Sequence, residues 1–193
     1  MAQMQGHMLP IGELMIEHRL IDRMLKLMRI ELDRIGAYGK ADPELIESMA
    51  TFMKEYADIC HHGKEEQILF PRLSEKQISP DMARMVEDLV QEHRFVRNLT
   101  NELVRANDLY INGRPEGRAG IISSLNSIVE FYPRHVEKEE KHFFIPAMGY
   151  FSDAEKDAML LMFREFDDRL LYDEFRMMVS AMEDQWHAPP PGK

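Results

Sequence analysis

The chain is predicted to be all-α: four long helices in an up-down-up-down bundle, followed by one additional C-terminal helix. Three observations carry this. Apolar residues recur at the 3.6-residue helical period over long stretches. The ten glycines and ten prolines are few for 193 residues, and they cluster between those stretches, whereas a strand-rich fold would scatter turn residues throughout. The connecting segments are short, which makes consecutive helices antiparallel neighbours.

Taken in order, the first helix runs from Ile11 to Ile35, with Gly36 as its C-cap. The second opens at Asp42, whose carboxylate suits an N-cap. Pro43 takes the first helical position, and the helix is expected to stop before Pro71. The third follows Ser79-Pro80 and reaches Tyr110, where Asn112-Gly113 breaks it, and the fourth spans Gly117 to Pro146. Residues 10–148 thus form the bundle within a single domain of 193 residues, a size one hydrophobic core can serve. The extra helix spans 153–186. Its apolar residues, Met159, Leu160, Met162, Phe163, Phe166, Leu170 and Phe175, occupy more than one face, as expected of a helix that touches several others. Residues 187–193, rich in proline, are expected to be a disordered tail.

Composition narrows the function classes. Apolar residues make up 45% and charged residues 30%, the balance of an ordinary globular protein. A net charge of −10 repels a phosphate backbone, and no basic patch offsets it, so nucleic acid is not an expected partner. No apolar run approaches the roughly 20 residues of a membrane span, and Met1 to Pro10 has neither the basic start nor the apolar stretch of a signal peptide. The single cysteine, Cys60, excludes an internal disulfide. A cytoplasmic location is expected. The 16 methionines suit a core with irregular gaps.

The strongest signal is an internal repeat. Leu14-Met-Ile-Glu-His18-Arg resembles Leu89-Val-Gln-Glu-His93-Arg, and His61-His-Gly-Lys-Glu65-Glu66 resembles His135-Val-Glu-Lys-Glu139-Glu140. Each helix pair therefore supplies one histidine and then one His-x-x-x-Glu. On a helix, residues four apart share a face. His135 and Glu139 share theirs with Ile121, Leu125, Ile128, Phe131, Tyr132 and Phe143. His18 lies among Ile11, Leu14, Ile21, Leu25 and Leu32, and His93 among Met82, Val86, Leu89, Val96 and Val104. Carboxylates and imidazoles on apolar stripes are costly unless something pairs with them. A metal resolves the cost, because it takes neutral imidazole and anionic carboxylate together.

Four imidazoles and two carboxylates exceed the needs of one tetrahedral zinc and include no thiolate. Bundle cores with carboxylates from two helices hold paired iron or manganese ions. The histidines, with His61-His-Gly-Lys-Glu-Glu-Gln-Ile-Leu-Phe-Pro71 and His135-Val-Glu-Lys-Glu-Glu-Lys-His-Phe-Phe-Ile-Pro146, resemble the hemerythrin-like (HHE cation-binding) family over residues 10 to 148. The resemblance implies a four-helix bundle around two iron ions, oxo- or hydroxo-bridged. Its ligands would be His18, His61, Glu65, His93, His135 and Glu139, with the glutamates bridging. His62 and Glu66 share the same i, i+4 spacing. Alignment of the repeats favours His61 and Glu65, while helical phase in the second helix leaves the choice open. The third helix departs from the oxygen-carrying pattern of His-x-x-x-His. Arg97 stands where the second histidine would be, so one iron is expected to lack a nitrogen ligand.

The expected function is binding or sensing of oxygen, nitric oxide or iron at a carboxylate-bridged centre. The alternative is a peroxidase that scavenges oxidants, with Tyr56 or Tyr132 as electron donors. A structural bundle with a zinc site is a third reading. The expected partners are a small diatomic ligand or peroxide, with a protein partner or a second copy for output. Weaker candidates are His142 on the His135 stripe, Asp22 and Arg97 as supports for the ligands, and Cys60 as a redox group. His7 and His187 carry no signal.

Overall fold

A computed structural model describes residues 9–167 and 172–187. They form α1 (Pro10–Tyr38), α2 (residues 43–74), α3 (Pro80–Ile111), α4 (residues 115–148), α5 (Asp153–Asp167) and α6 (Tyr172–His187), with no strand among the described residues. From α1 to α4 consecutive helices pack on one another, and α1 also packs on α4, closing a ring. The expected single helix over 153–186 is described as two, α5 and α6. The four residues between them, the tail beyond residue 187, and His7 lie outside the described residues.

The caps follow local chemistry. Pro10, Pro43, Pro80 and Pro115 each open a helix, where their missing N–H costs nothing. Asp42 accepts from the N–H groups of Glu44 and Leu45 at 3.2 and 3.3 Å, and Ser79 accepts from that of Met82 at 3.2 Å. The end of α1 differs from expectation. The helix passes through Gly36 and stops at Gly39, whose φ of 70° is the left-handed cap conformation and whose N–H reaches the Ile35 carbonyl.

The second correction concerns Pro71 and Pro146, which were expected to end their helices. Both helices continue, to Ser74 and Met148. Just before each proline the backbone widens into a π-turn, Glu65–Leu69 in α2 and Glu139–Phe143 in α4, with hydrogen bonds that reach five residues back. The N–H of Phe70 goes to the Glu65 carbonyl and that of Phe144 to the Glu139 carbonyl. The wider turn relieves the clash a proline ring makes in a regular α-helix. A longer π stretch, Phe52–His62, precedes the first of these. Because a π-turn takes more residues than the 3.6 of an α-turn, the helical phase of α2 could not be projected across it.

Two apolar clusters fill the interior, with a polar layer between them. Along α1 the order is Ile11 and Leu14 in the first cluster, His18, then Ile21, Met24 and Met28 in the second. Along α2 it reverses: Phe52, Met53 and Tyr56, then the histidines, then Leu69, Phe70 and Leu73. α3 repeats the order of α1, and α4 that of α2. α5 adds Met159 and Phe163 to one cluster, and α6 adds Val179 and Met182 to the other. Met24, Met28, Met49, Met53 and Met159 are all buried, in keeping with the gap-filling role expected of methionine here. On α3 the stripe turns inward through Leu99 and Leu103, leaving Val104 at 41% exposure. Among the described residues, no helix is long and apolar enough to cross a membrane.

Candidate metal centre

Five histidines meet in the polar layer, and each has a carboxylate behind it. His18 Nδ1 lies 3.0 Å from Glu140, His61 Nδ1 2.9 Å from Glu17, and His93 Nδ1 2.7 Å from Glu66. His135 Nδ1 lies 2.8 Å from Glu92 and His62 Nδ1 3.3 Å from Asp58. A carboxylate only accepts, so each ring carries its proton on Nδ1 and turns the lone pair of Nε2 inward. Each carboxylate is in turn held by a cation: Glu17 by Lys64, Glu92 by Lys138, Glu140 by Arg19, and both Glu66 and Asp58 by Arg97.

These contacts explain the repeat residue by residue. In Glu-His, the glutamate backs a histidine of the next helix (Glu17 to His61, Glu92 to His135), and the histidine points inward. In His-x-x-Lys-Glu-Glu, the lysine holds that same backing glutamate, and the first glutamate points inward. The second backs the histidine of the next helix around the ring (Glu66 to His93, Glu140 to His18).

The inward atoms lack ordinary partners. Both oxygens of Glu65 and of Glu139, and Nε2 of His62, His93 and His135, are buried without a hydrogen bond. Such atoms are expensive to leave unmatched. His18 Nε2 and His61 Nε2 face each other at 2.9 Å, although both rings already carry their proton on the far side. Two lone pairs at that spacing fit a shared cation: nitrogens bound at right angles, each about 2.1 Å from an ion, lie about 3 Å apart. Glu139 faces two directions at once. One of its oxygens lies 3.1 Å from His18 Nε2, while the other lies 3.2 Å from His135 Nε2 and 3.5 Å from His93 Nε2. Glu65 Oε2 lies 3.3 Å from His93 Nε2.

Electrostatics agree with this. Burial and the neighbouring Glu139 charge push Glu65 well above the usual carboxylate range. Glu139 itself is held well below that range: burial opposes its charge, but the surrounding imidazoles of His135, His18 and His93 outweigh the burial. Burial drives His61 and His62 far below the ordinary histidine range, leaving them neutral. Burial also works against the charged forms of His18 and His93, but Glu139 with Glu140 or Glu66 outweighs it and raises both, so the layer balances its buried charge by sharing protons in the place where a cation would serve. Three groups of side chains bring their ligand atoms within 4.8 Å of one another in this layer: His18, His61 and Glu139; His62, His93 and His135; and Glu65, His93 and Glu139.

All six predicted ligands, His18, His61, Glu65, His93, His135 and Glu139, are buried here. The choice between His61 and His62 dissolves, because the π backbone of α2 turns both inward. Glu66 instead stays half-buried behind His93. Arg97 stands beside His93 as expected, and the structure places a further histidine there, His62 on α2, stacked on His93 at 3.9 Å between ring centroids. Its trace in the sequence was the pair His61-His62, with Asp58 one turn earlier. Of the weaker candidates, Arg97 supports two histidines as described, Asp22 is exposed and paired with Lys26 at 2.7 Å, and His142 is exposed. Tyr132 is buried, its hydroxyl has no hydrogen-bond partner, and its ring lies 6.3 Å from that of His62 and 6.0 Å from that of His135. Tyr56 is stacked on Phe52 at 4.9 Å. Burial raises the Cys60 thiol far above its usual range, which makes it a poor nucleophile. Glu17, Cys60 and Asp167 form a further acidic group, but the Lys64 ammonium sits on both of its carboxylates and takes the place of a cation there.

Helical architecture and donor set together define a cation-binding protein whose site lies inside the ring of helices. The family model for the hemerythrin HHE cation binding domain matches residues 9–145 and, in an overlapping placement, residues 84–187. The chain therefore belongs to the hemerythrin HHE cation-binding family. The second placement begins within α3, the helix that opens the second copy of the internal repeat. Uncharacterized proteins of Mycobacterium tuberculosis (strains H37Rv and CDC 1551) and of Mycobacterium bovis are each 22% identical to the chain over 175 residues. The matches cover 91% of this chain and 60% of each relative, so the chain spans about three fifths of the curated relatives it matches. No solved structure matches it.

Proposed function

We propose that the chain is a non-haem di-iron protein that binds or senses a small oxidant, oxygen or nitric oxide, or iron itself. Two irons would lie between the helices, held by His18, His61, Glu65, His93, His135 and Glu139, with the two glutamates bridging. The observation that carries this reading is Glu139, buried without a hydrogen bond and facing His18 with one oxygen and His93 and His135 with the other. A carboxylate in that position would offer one oxygen to each of two ions. The alternating order of the apolar clusters along the four helices supports an up-down-up-down bundle, which brings two histidine groups to one level.

Iron is favoured over zinc because the donors are imidazole and carboxylate without thiolate, and too numerous for one tetrahedral ion. When bound, iron would supply a redox centre able to take up a small ligand. The protein's own part is to fix each imidazole through its backing carboxylate and to keep the layer dry between two apolar clusters. Metal analysis with an optical spectrum of the oxidised protein tests the reading. The expected result is about two irons per chain, with a spectrum that changes when the reduced protein meets oxygen or nitric oxide. A chain that takes up no iron, or a single zinc, overturns it.

A further inference from the structure

Among the positions at which the two copies of the repeat differ are three whose residues touch. His62 stands where the second copy has Val136, Asp58 where it has Tyr132, and Arg97 where the first copy has Asp22. In the fold they form one chain of contacts. Arg97 Nε donates to Asp58 Oδ1 at 2.6 Å, Asp58 Oδ1 accepts from His62 Nδ1 at 3.3 Å, and Arg97 Nη2 donates to Glu66 Oε1 at 2.8 Å. Glu66 in turn backs His93 at 2.7 Å. A single guanidinium thus holds the carboxylates behind two neighbouring imidazoles, a task suited to its planar fork and not to a point charge. Their counterparts do nothing similar: Asp22 is exposed and paired with Lys26.

We propose that His62 is a seventh metal ligand, the third nitrogen of the ion shared with His93 and His135, and that Arg97 is the positioning residue that sets it. The inference rests on the di-iron reading and deepens it. His62 is fully buried, and its Nε2 has no hydrogen-bond partner. Its ring lies flat on that of His93, 10° from parallel, so the two rings present their inner nitrogens side by side, while His135 meets both rings edge-on at 90° and 81°. A histidine placed only to fill the core would find a partner for its second nitrogen; this one points it at two other unpartnered nitrogens. The π stretch that ends at His62 makes this possible, since it lets consecutive residues of one helix face the same interior. The imidazoles would then divide unequally, His18 and His61 in one group and His62, His93 and His135 in the other.

The test loads the full chain with ferrous iron and follows release to a chelator. Wild type must hold two irons; if it holds none, the di-iron reading itself fails, and the outcome says so separately. With wild type loaded, His62→Ala is expected to release one iron at least tenfold faster while keeping the other, and added free imidazole is expected to restore retention. His62→Gln, close in volume, is run beside it, with circular dichroism of both apo variants as the control for folding. Arg97→Met is expected to speed release of the same iron about three- to tenfold and to shift the paramagnetic resonance of the half-reduced centre. Arg97→Lys should recover only part of either effect. Release and resonance unchanged from wild type in both His62 variants overturn the ligand assignment. A resonance unchanged in Arg97→Met overturns the positioning role.

Discussion

Glu17, which backs His61, and Glu92, which backs His135, occupy the same place in the two copies of the repeat, yet their surroundings differ. The side chains of Glu17 and its partner Lys64 are 2% and 0% exposed, against 25% and 32% for Glu92 and Lys138. The cause is α5, which packs over this ion pair of the first copy. The Phe163 ring lies 5.9 Å from Lys64 Nζ, and Asp167 reaches the same ammonium at 2.6 Å. Burial works against the charge of Lys64, but Glu17 and Asp167 outweigh it and raise its pKa. The same motif is therefore a sealed ion network in one half and a half-solvated pair in the other. Sequence identity between the copies does not give them equal energetic weight; the neighbour packed on top does.

The largest expected effect belongs to what both halves share. Stripping the metal leaves Glu65 and Glu139 adjacent and buried with nothing between them, so the apo chain should melt well below the loaded one. If free iron stands at about a thousandfold over its dissociation constant, the difference is about 4 kcal/mol. Calorimetry with and without chelator measures it, and hydrogen exchange should show the loss at the central turns of all four bundle helices. Exchange that rises only in α1 and α2 would mean that the centre does not join the halves.

The next effect separates them. Lys64→Met strands Glu17 away from water and should cost about 3–5 kcal/mol. Lys138→Met leaves Glu92 access to solvent and should cost about 1 kcal/mol or less. Paired denaturant melts of the two apo variants check this. Equal losses would show that α5 does not seal the first copy.

Much of this was legible in the sequence. Two copies of Glu-His and His-x-x-x-Glu, placed on apolar stripes, were enough to mark the six inward-facing residues and the helical fold. His62 resisted because phase arguments assume 3.6 residues per turn, and α2 abandons that period from Phe52 to His62. The continuation of helices past Pro71 and Pro146 was hidden for the same reason. The backing role of Glu17, Glu66, Glu92 and Glu140 was present in the repeat as plain identity. It became readable only when the fold showed which histidine each one reaches, since every such pair crosses from one helix to another. The seating of α5 left the faintest trace of all, a glycine.

That glycine gives the smallest and most local test. Gly63 lies inside α2, where glycine is a weak helix former, and a Cβ added there would lie 2.8 Å from the Phe166 ring of α5. The corresponding residue of the second copy is Glu137, exposed and paired with Lys141 at 2.6 Å. Two terms compete in Gly63→Ala. Helix propensity favours alanine by about 1 kcal/mol, whereas forcing a methyl group into a filled contact costs about 1–3 kcal/mol. If α5 is seated on Gly63 as described, the second term wins and the variant loses about 1 kcal/mol net, with faster proteolysis within α5. If the helix is only loosely held, Phe166 swings aside, propensity wins, and the variant becomes more stable than the parent. The sign of the change in melting temperature, set against an unchanged melt for Glu137→Ala, decides whether the unequal cover of the two copies is a fixed part of the fold.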